Sequence, residues 1–170
     1  MSTLTTRMIG SAKLQADSYE EVEADSRANG QAVAVVVLSS LAAALGTGTT
    51  SVPGAVALLF AAILSWLVWV FLTLWLGTRV MPGRETRADF GQVLRTTGFS
   101  AAPGILRVLG VVPVVGWIIF LAATIWMLLS FVIAIRQALD YSSTGSAFAV
   151  CLLGWIIHGI LFFGFVVVAS

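Results

Sequence analysis

The chain has 170 residues, 59% of them hydrophobic and 10% charged, with nine basic against eight acidic residues and a formal net charge of +1; its mean hydropathy is +1.01. A soluble domain carries about 25% charged residues, so the composition excludes that class, and basic residues scattered along the chain form no nucleic-acid-binding patch. A single cysteine, Cys151, excludes an intramolecular disulfide and a cysteine-rich metal site.

Residues 1–28 are expected to form a polar cytoplasmic segment ahead of one membrane domain at 29–169. The segment has no apolar h-region, so no cleaved signal peptide is expected. It carries Arg7, Lys13 and Arg27 against Asp17, Glu20, Glu21, Glu23 and Asp25. Ser18 and Glu21 stand at capping-box spacing, which predicts a short polar helix from Asp17 or Ser18. Val22 is its one aliphatic residue, so the favoured reading is a solvated acidic helix rather than a partner's docking site.

The first span is predicted over 29–47, apolar from Ala32 to Leu45 except at Ser39 and Ser40. The linker GTGTTSVPG is an uncharged turn, and without a Gly-Lys-Ser/Thr ending it is no phosphate loop; no nucleotide is expected. A second span covers 55–77. Its Ala57, Ala61 and Ser65 recur every four residues, as do Ala42 and Gly46 on the first span, and small residues at this spacing let helices approach closely, which predicts a tight hairpin. Trp75, near Arg79, suits an interfacial belt, whereas Trp66 and Trp69 are expected to face lipid. Met81-Pro82-Gly83 ends the helix, and another is predicted from Arg87 or Ala88 with Phe90, Val93 and Leu94 on one face.

The third apolar segment, 90–112, is broken at Pro103-Gly104 and holds Arg107, placed to donate to carbonyls that the break frees. The fourth span is predicted over 113–137; its Val114–Ile135 stretch is uncharged, about 22 residues or ~33 Å of helix. Arg136 and Asp140, four residues apart, predict a local ion pair. A fifth span, 146–169, has His158 near its middle. With the N-terminus cytoplasmic and five crossings, Lys13, Arg27, Arg79, Arg84, Arg87, Arg95 and Arg136 share the inner side, and the C-terminus lies outside. A re-entrant third segment would turn Arg136 and Asp140 outward, so the positive-inside rule prefers five. The expected fold is all-α: a five-helix transmembrane bundle with a short polar N-terminal helix.

Few residues carry chemistry. His158 reads as a neutral imidazole bonded to a neighbouring helix rather than a proton relay, since no acidic residue lies within a span. For Arg107, snorkelling or capping of the broken helix stands level with contact to an anion, a lipid headgroup or a partner. Cys151 reads as an apolar filler. Pairing His158 with a serine is conceivable, but no Gly-x-Ser-x-Gly motif occurs and no metal-ligand cluster is apparent. A non-enzyme without cofactor or metal is expected. Its partners are the lipid bilayer and other membrane proteins or a second copy. The candidate contacts are Arg107, His158, Pro103, Gly104, Arg136 and Asp140, with Ala57, Ala61, Ser65, Ala42 and Gly46 for helix packing. Three functions follow: a scaffold, adaptor or accessory subunit; a small oligomeric transporter or channel with its site at Arg107 and the broken helix; or a lipid-binding, membrane-shaping protein using the basic stretch from Arg79 to Arg95.

The run FSAAPGILRVLGVVPVVGWIIFLAATIWMLLSFVIAIRQALDYSSTGSA resembles the core of the Yip1-domain family, in the compact form found in bacterial proteins. The resemblance rests on Ser100 and Pro103, then Pro113 and Gly116, Trp126, the exit Arg136-Gln137-Ala138-Leu139, and Ser142 and Ala147 beyond it. Phe90-Gly91-Gln92-Val93-Leu94-Arg95 precedes it in the same order, and the similarity extends over about residues 80–160. It implies five transmembrane helices, a cytoplasmic N-terminus and a bacterial cytoplasmic membrane. Eukaryotic members are linked to Rab GTPases, vesicle traffic and membrane shaping; the polar segment here is short beside theirs, so that role is not expected to carry over. The bacterial relatives imply no settled activity.

Overall fold

The computed structural model describes residues 3–48, 51–84 and 86–169, with side chains described as far as Ile160. The polar segment forms two helices, not one. Helix α1 (Leu4–Ala12) starts at Thr3, whose hydroxyl accepts from the Thr6 N–H. Helix α2 (Ala16–Ala24) starts at Gln15 with no side-chain cap. Ser18 is therefore already inside the first turn, and the expected Ser18–Glu21 box does not form. The solvated reading also fails, because Tyr19 and Val22 are fully buried: the aromatic ring supplies the apolar face that Val22 alone could not.

A 3-10 turn (Ser26–Ala28) leads into α3 (Asn29–Gly46). Gly48 then takes a left-handed φ of 76°, open to glycine at no steric cost. Ser51 caps α4 (Val52–Trp75), with Pro53 in its first turn where a missing N–H costs nothing; Thr49 and Thr50 of the predicted linker lie outside the described residues. A π turn, Leu76–Val80, ends α4 ahead of Met81-Pro82. Helix α5 (Phe90–Phe99) begins at Asp89, whose carboxylate accepts from the Gln92 N–H at 2.8 Å while the Gln92 side chain accepts from the Asp89 N–H at 2.7 Å. This reciprocal box puts the start at Phe90, just past the predicted Arg87 or Ala88.

The α-helix then stops, and Ala102–Val111 forms ten residues of 3-10 helix. Runs beyond three or four residues are uncommon because the hydrogen-bond geometry is poorer. Pro103 sits in its first turn and contributes no N–H. Val112–Val115 turn the corner, with Val114 at φ 69°, and α6 (Gly116–Ala138) and α7 (Thr144–Ala169) complete the chain. Every regular element among the described residues is helical. Three stretches are long and apolar enough to cross a membrane: Ser26–Gly46, Val52–Val80 and Gly116–Ala138. Helix α7 has 26 residues, apolar over its described stretch, and the broken segment is not a continuous helix.

The 3-10 segment packs between α3 and α6. Their backbones nearly touch. A Cβ on Gly46 would strike the Arg107 carbonyl oxygen, one on Gly110 would lie 2.6 Å from the Gly46 carbonyl oxygen, and one on Gly116 would strike the Gly110 carbonyl oxygen. Gly46 therefore abuts the 3-10 segment rather than the stripe on α4. Helices α3 and α4 do touch, but Ala57 and Ala61 are exposed and do not form their contact. The charged loops gather at the opposite end: the Tyr141 hydroxyl donates to the Met81 carbonyl at 2.6 Å and the Thr86 hydroxyl to the Leu139 carbonyl at 2.7 Å.

Candidate functional site

Between α3, α4, the α5–3-10 segment, α6 and α7 lies a recess of about 300 Å³. Ser39, Ser40, Ser65, Thr97, Ser100 and Arg107 give it a polar lining, and Trp66, Trp69, Phe131 and Trp155 an aromatic one. Sequence placed Trp66 and Trp69 toward lipid. Instead Trp66 is buried and its indole N–H donates to the Thr97 hydroxyl at 3.1 Å. The Trp69 ring stacks on His158 and meets Phe131 and Trp155 edge-on. In hydrocarbon, burial of an indole follows from a polar partner rather than from hydrophobicity, and that partner, Thr97, is set by tertiary packing. Ser39, Ser40 and Thr97 carried no sequence signal beyond being weakly polar residues in apolar runs, Ser65 was marked only as a small residue for helix packing, and Ser100 only by the family resemblance.

Arg107 does what the broken helix asked of it. Its Nε donates to the Gly104 carbonyl at 3.1 Å, and its Nη2 to the Ser39 carbonyl at 3.0 Å and hydroxyl at 2.8 Å. These bonds clamp the 3-10 segment to α3, and the guanidinium also lies 5.8 Å from the Phe120 ring centroid, a cation–π distance. Buried Pro103 and Gly104 bring the backbone in: a Cβ on Gly104 would meet the Ser39 hydroxyl and the Met127 sulfur. No carboxylate pairs with Arg107 among the described residues.

His158 Nε2 lies 3.4 Å from the Ser65 hydroxyl, so the structure does make the histidine–serine pair. It is poorly built as a nucleophile. Ser65 sits mid-helix in α4, where backbone N–H groups are spent within the helix and leave no oxyanion donor. His158 Nδ1 is buried with no hydrogen-bond partner among the described residues, none of which therefore orients the ring from behind through that nitrogen. The pair serves to tie α7 to α4. Cys151 is buried in an apolar cluster with Leu76, Val132, Ile135 and Val150.

Arg136 and Asp140 are not brought together. Helix α6 ends at Ala138 and Asp140 takes a left-handed φ of 51°, so the helical spacing behind the predicted ion pair is lost. Arg136 donates instead to the Tyr141 carbonyl and the Thr144 hydroxyl, both at 3.3 Å.

A profile of the Yip1 domain matches residues 15–166. The chain belongs to the Yip1 domain family. No curated protein and no solved structure matches it. The match takes in α2, so this helix is part of the Yip1 domain, and the side chains of Arg95, Arg7 and Tyr19 explain how it is held. Arg95, 6% exposed, donates through Nε to the Val22 and Glu23 carbonyls, through Nη2 to the Glu23 carbonyl again, and through Nη1 to Asn29 Oδ1. It caps the last turn of α2, where a cation suits the helix dipole. Arg7 pairs with Glu21 and Asp25 at 3.0 and 2.8 Å, and with Arg27 it holds the Asp25 carboxyl down at about 2. The Tyr19 hydroxyl reaches Ser11 and Ser130, joining α1, α2 and α6, and burial raises its pKa.

Proposed function

We propose that this Yip1 domain is a non-catalytic integral membrane protein that works by association, as a scaffold, adaptor or accessory subunit for other membrane proteins. The observation that carries this reading is the uncovered face of α4. Ala57 and Ala61 are exposed beside Phe60 and Leu64, while Gly46, expected opposite them, is taken by the 3-10 segment. Exposed Phe60 and Leu64 are neutral toward lipid tails, but small residues four apart favour close approach of another helix. The acidic segment offers less to a partner, since Glu21, Glu23 and Asp25 are engaged within the chain. A transporter reading has weaker support, because Arg107 clamps two elements of one chain together.

Copurification from the native membrane in mild detergent tests the proposal. Ala57→Leu with Ala61→Leu is expected to release a stoichiometric partner, or to turn a dimer into a monomer, at unchanged melting temperature. Identical elution with and without the two leucines would remove this face from any interface.

A further inference from the structure

We propose that the recess at Arg107 is a binding site for an anionic phosphate-bearing group, with the phosphate on the guanidinium and any attached chain along the aromatic wall. The site is independent of the α4 face. Three observations carry it. First, Arg107 is a cation with no carboxylate partner, and its Nη1 has no protein partner among the described residues. A half-buried cation that is bonded but not neutralised favours an anion from outside the chain. Second, the recess is amphiphilic: Ser39, Ser40 and Ser100 lie on the polar side, and Trp69, Leu128 and Trp155 on the apolar one. Its volume of about 300 Å³ is at the lower end of known small-ligand sites. The Ser39 hydroxyl donates only to the Met127 sulfur, at 3.9 Å, so its O–H can turn toward an arriving oxygen at little cost.

Third, the depth is right for a headgroup. Arg107 stands three residues before Gly110, where α3, the 3-10 segment and α6 converge, so it lies roughly 6 Å in from that uncharged end. The other arginines between residues 29 and 169 (Arg79, Arg84, Arg87, Arg95 and Arg136) fall in or beside the charged loops. With the five crossings proposed for the chain, this sets Arg107 apart toward the far leaflet, within reach of a phosphate there. The phosphate could belong to a lipid or be free in solution, and these sources are separable.

Native mass spectrometry of the detergent-purified chain, offered equal phosphatidylglycerol and phosphatidylcholine, is the test. Wild type is expected to retain one phosphatidylglycerol, and Arg107→Gln to lose that preference by about tenfold or more, as deletion of one charge-assisted contact predicts. If inorganic phosphate alone raises the melting temperature of wild type but not of the variant, the anion is the free ion. Phosphatidylglycerol retained equally by both proteins, or neither retention nor a phosphate-dependent shift in wild type, would overturn the proposal. Should Arg107→Gln fail to fold, Ala62→Phe narrows the recess and leaves the arginine in place; undiminished retention in that variant would likewise overturn it.

Discussion

At the scale of single residues, the arginines divide by what they satisfy. Arg95 and Arg107 both spend their guanidinium donors largely on backbone carbonyls, one at the end of α2 and one on the 3-10 segment and α3. Sequence showed the need at Arg107, because Pro103 and Gly104 sit beside it. It did not show the need at Arg95, whose acceptors lie more than 70 residues away. Glu23 sits in the same contact. Burial, with the negative charge of Asp140, Glu20 and Asp89 against the relief from Arg95, raises its carboxyl to about 7. A carboxyl whose folded value exceeds the unfolded 4.5 stabilises fully below that value and loses the contribution as pH rises through about 7. Docking of α2 is therefore expected to be tighter at pH 5 than at pH 8. Amide exchange across residues 16–24 would follow it. In Glu23→Gln, which keeps an acceptor for Gln92, this pH dependence should vanish; persistence would assign it elsewhere.

At the scale of elements, the 3-10 segment is where local pattern and observed structure part. Length and apolarity predicted a span broken at Pro103-Gly104, and the chain does leave the α-helix after Phe99. That the remainder tightens into 3-10 helix depends on neighbours: only glycine at 46, 110 and 116 lets three backbones converge. Gly46→Ala places a methyl against the Arg107 carbonyl and is expected to destabilise by about 1–3 kcal/mol, as overpacking does. Thermal unfolding in detergent measures it. A neutral result would mean that the elements slide apart without cost. The α5 start was legible only to within two or three residues, at Arg87 or Ala88, and the Asp89–Gln92 box sets it at Phe90, whereas Ser18 and Glu21 stand at the same spacing and form no box. Spacing permits a cap; burial of Tyr19 decided where α2 begins.

At the scale of the whole molecule, charge is segregated as a membrane requires. The broken segment joins the charged end to the uncharged one, about 15 Å of α-helix and ~20 Å of 3-10 helix. We therefore keep the five-crossing topology as a proposal. In a Cys151→Ser background, cysteines at Arg84 and Val114 should label from opposite faces of the membrane, and labelling of both from one face would make the segment re-entrant. The sequence by itself determined the solvent of this protein, its helical class and the α3, α4, α6 and α7 boundaries to within a few residues. Those depend on hydropathy, turn residues and charge, which are local. Only the tertiary structure decided that α2 is buried, that Trp66 and Trp69 point inward, that Gly46 meets the 3-10 segment and that Arg107 borders a recess. In lipid, apolar side chains gain little by facing protein rather than hydrocarbon, so inward and outward faces are chosen by hydrogen bonds and close backbone packing between distant segments, which a one-dimensional pattern does not carry.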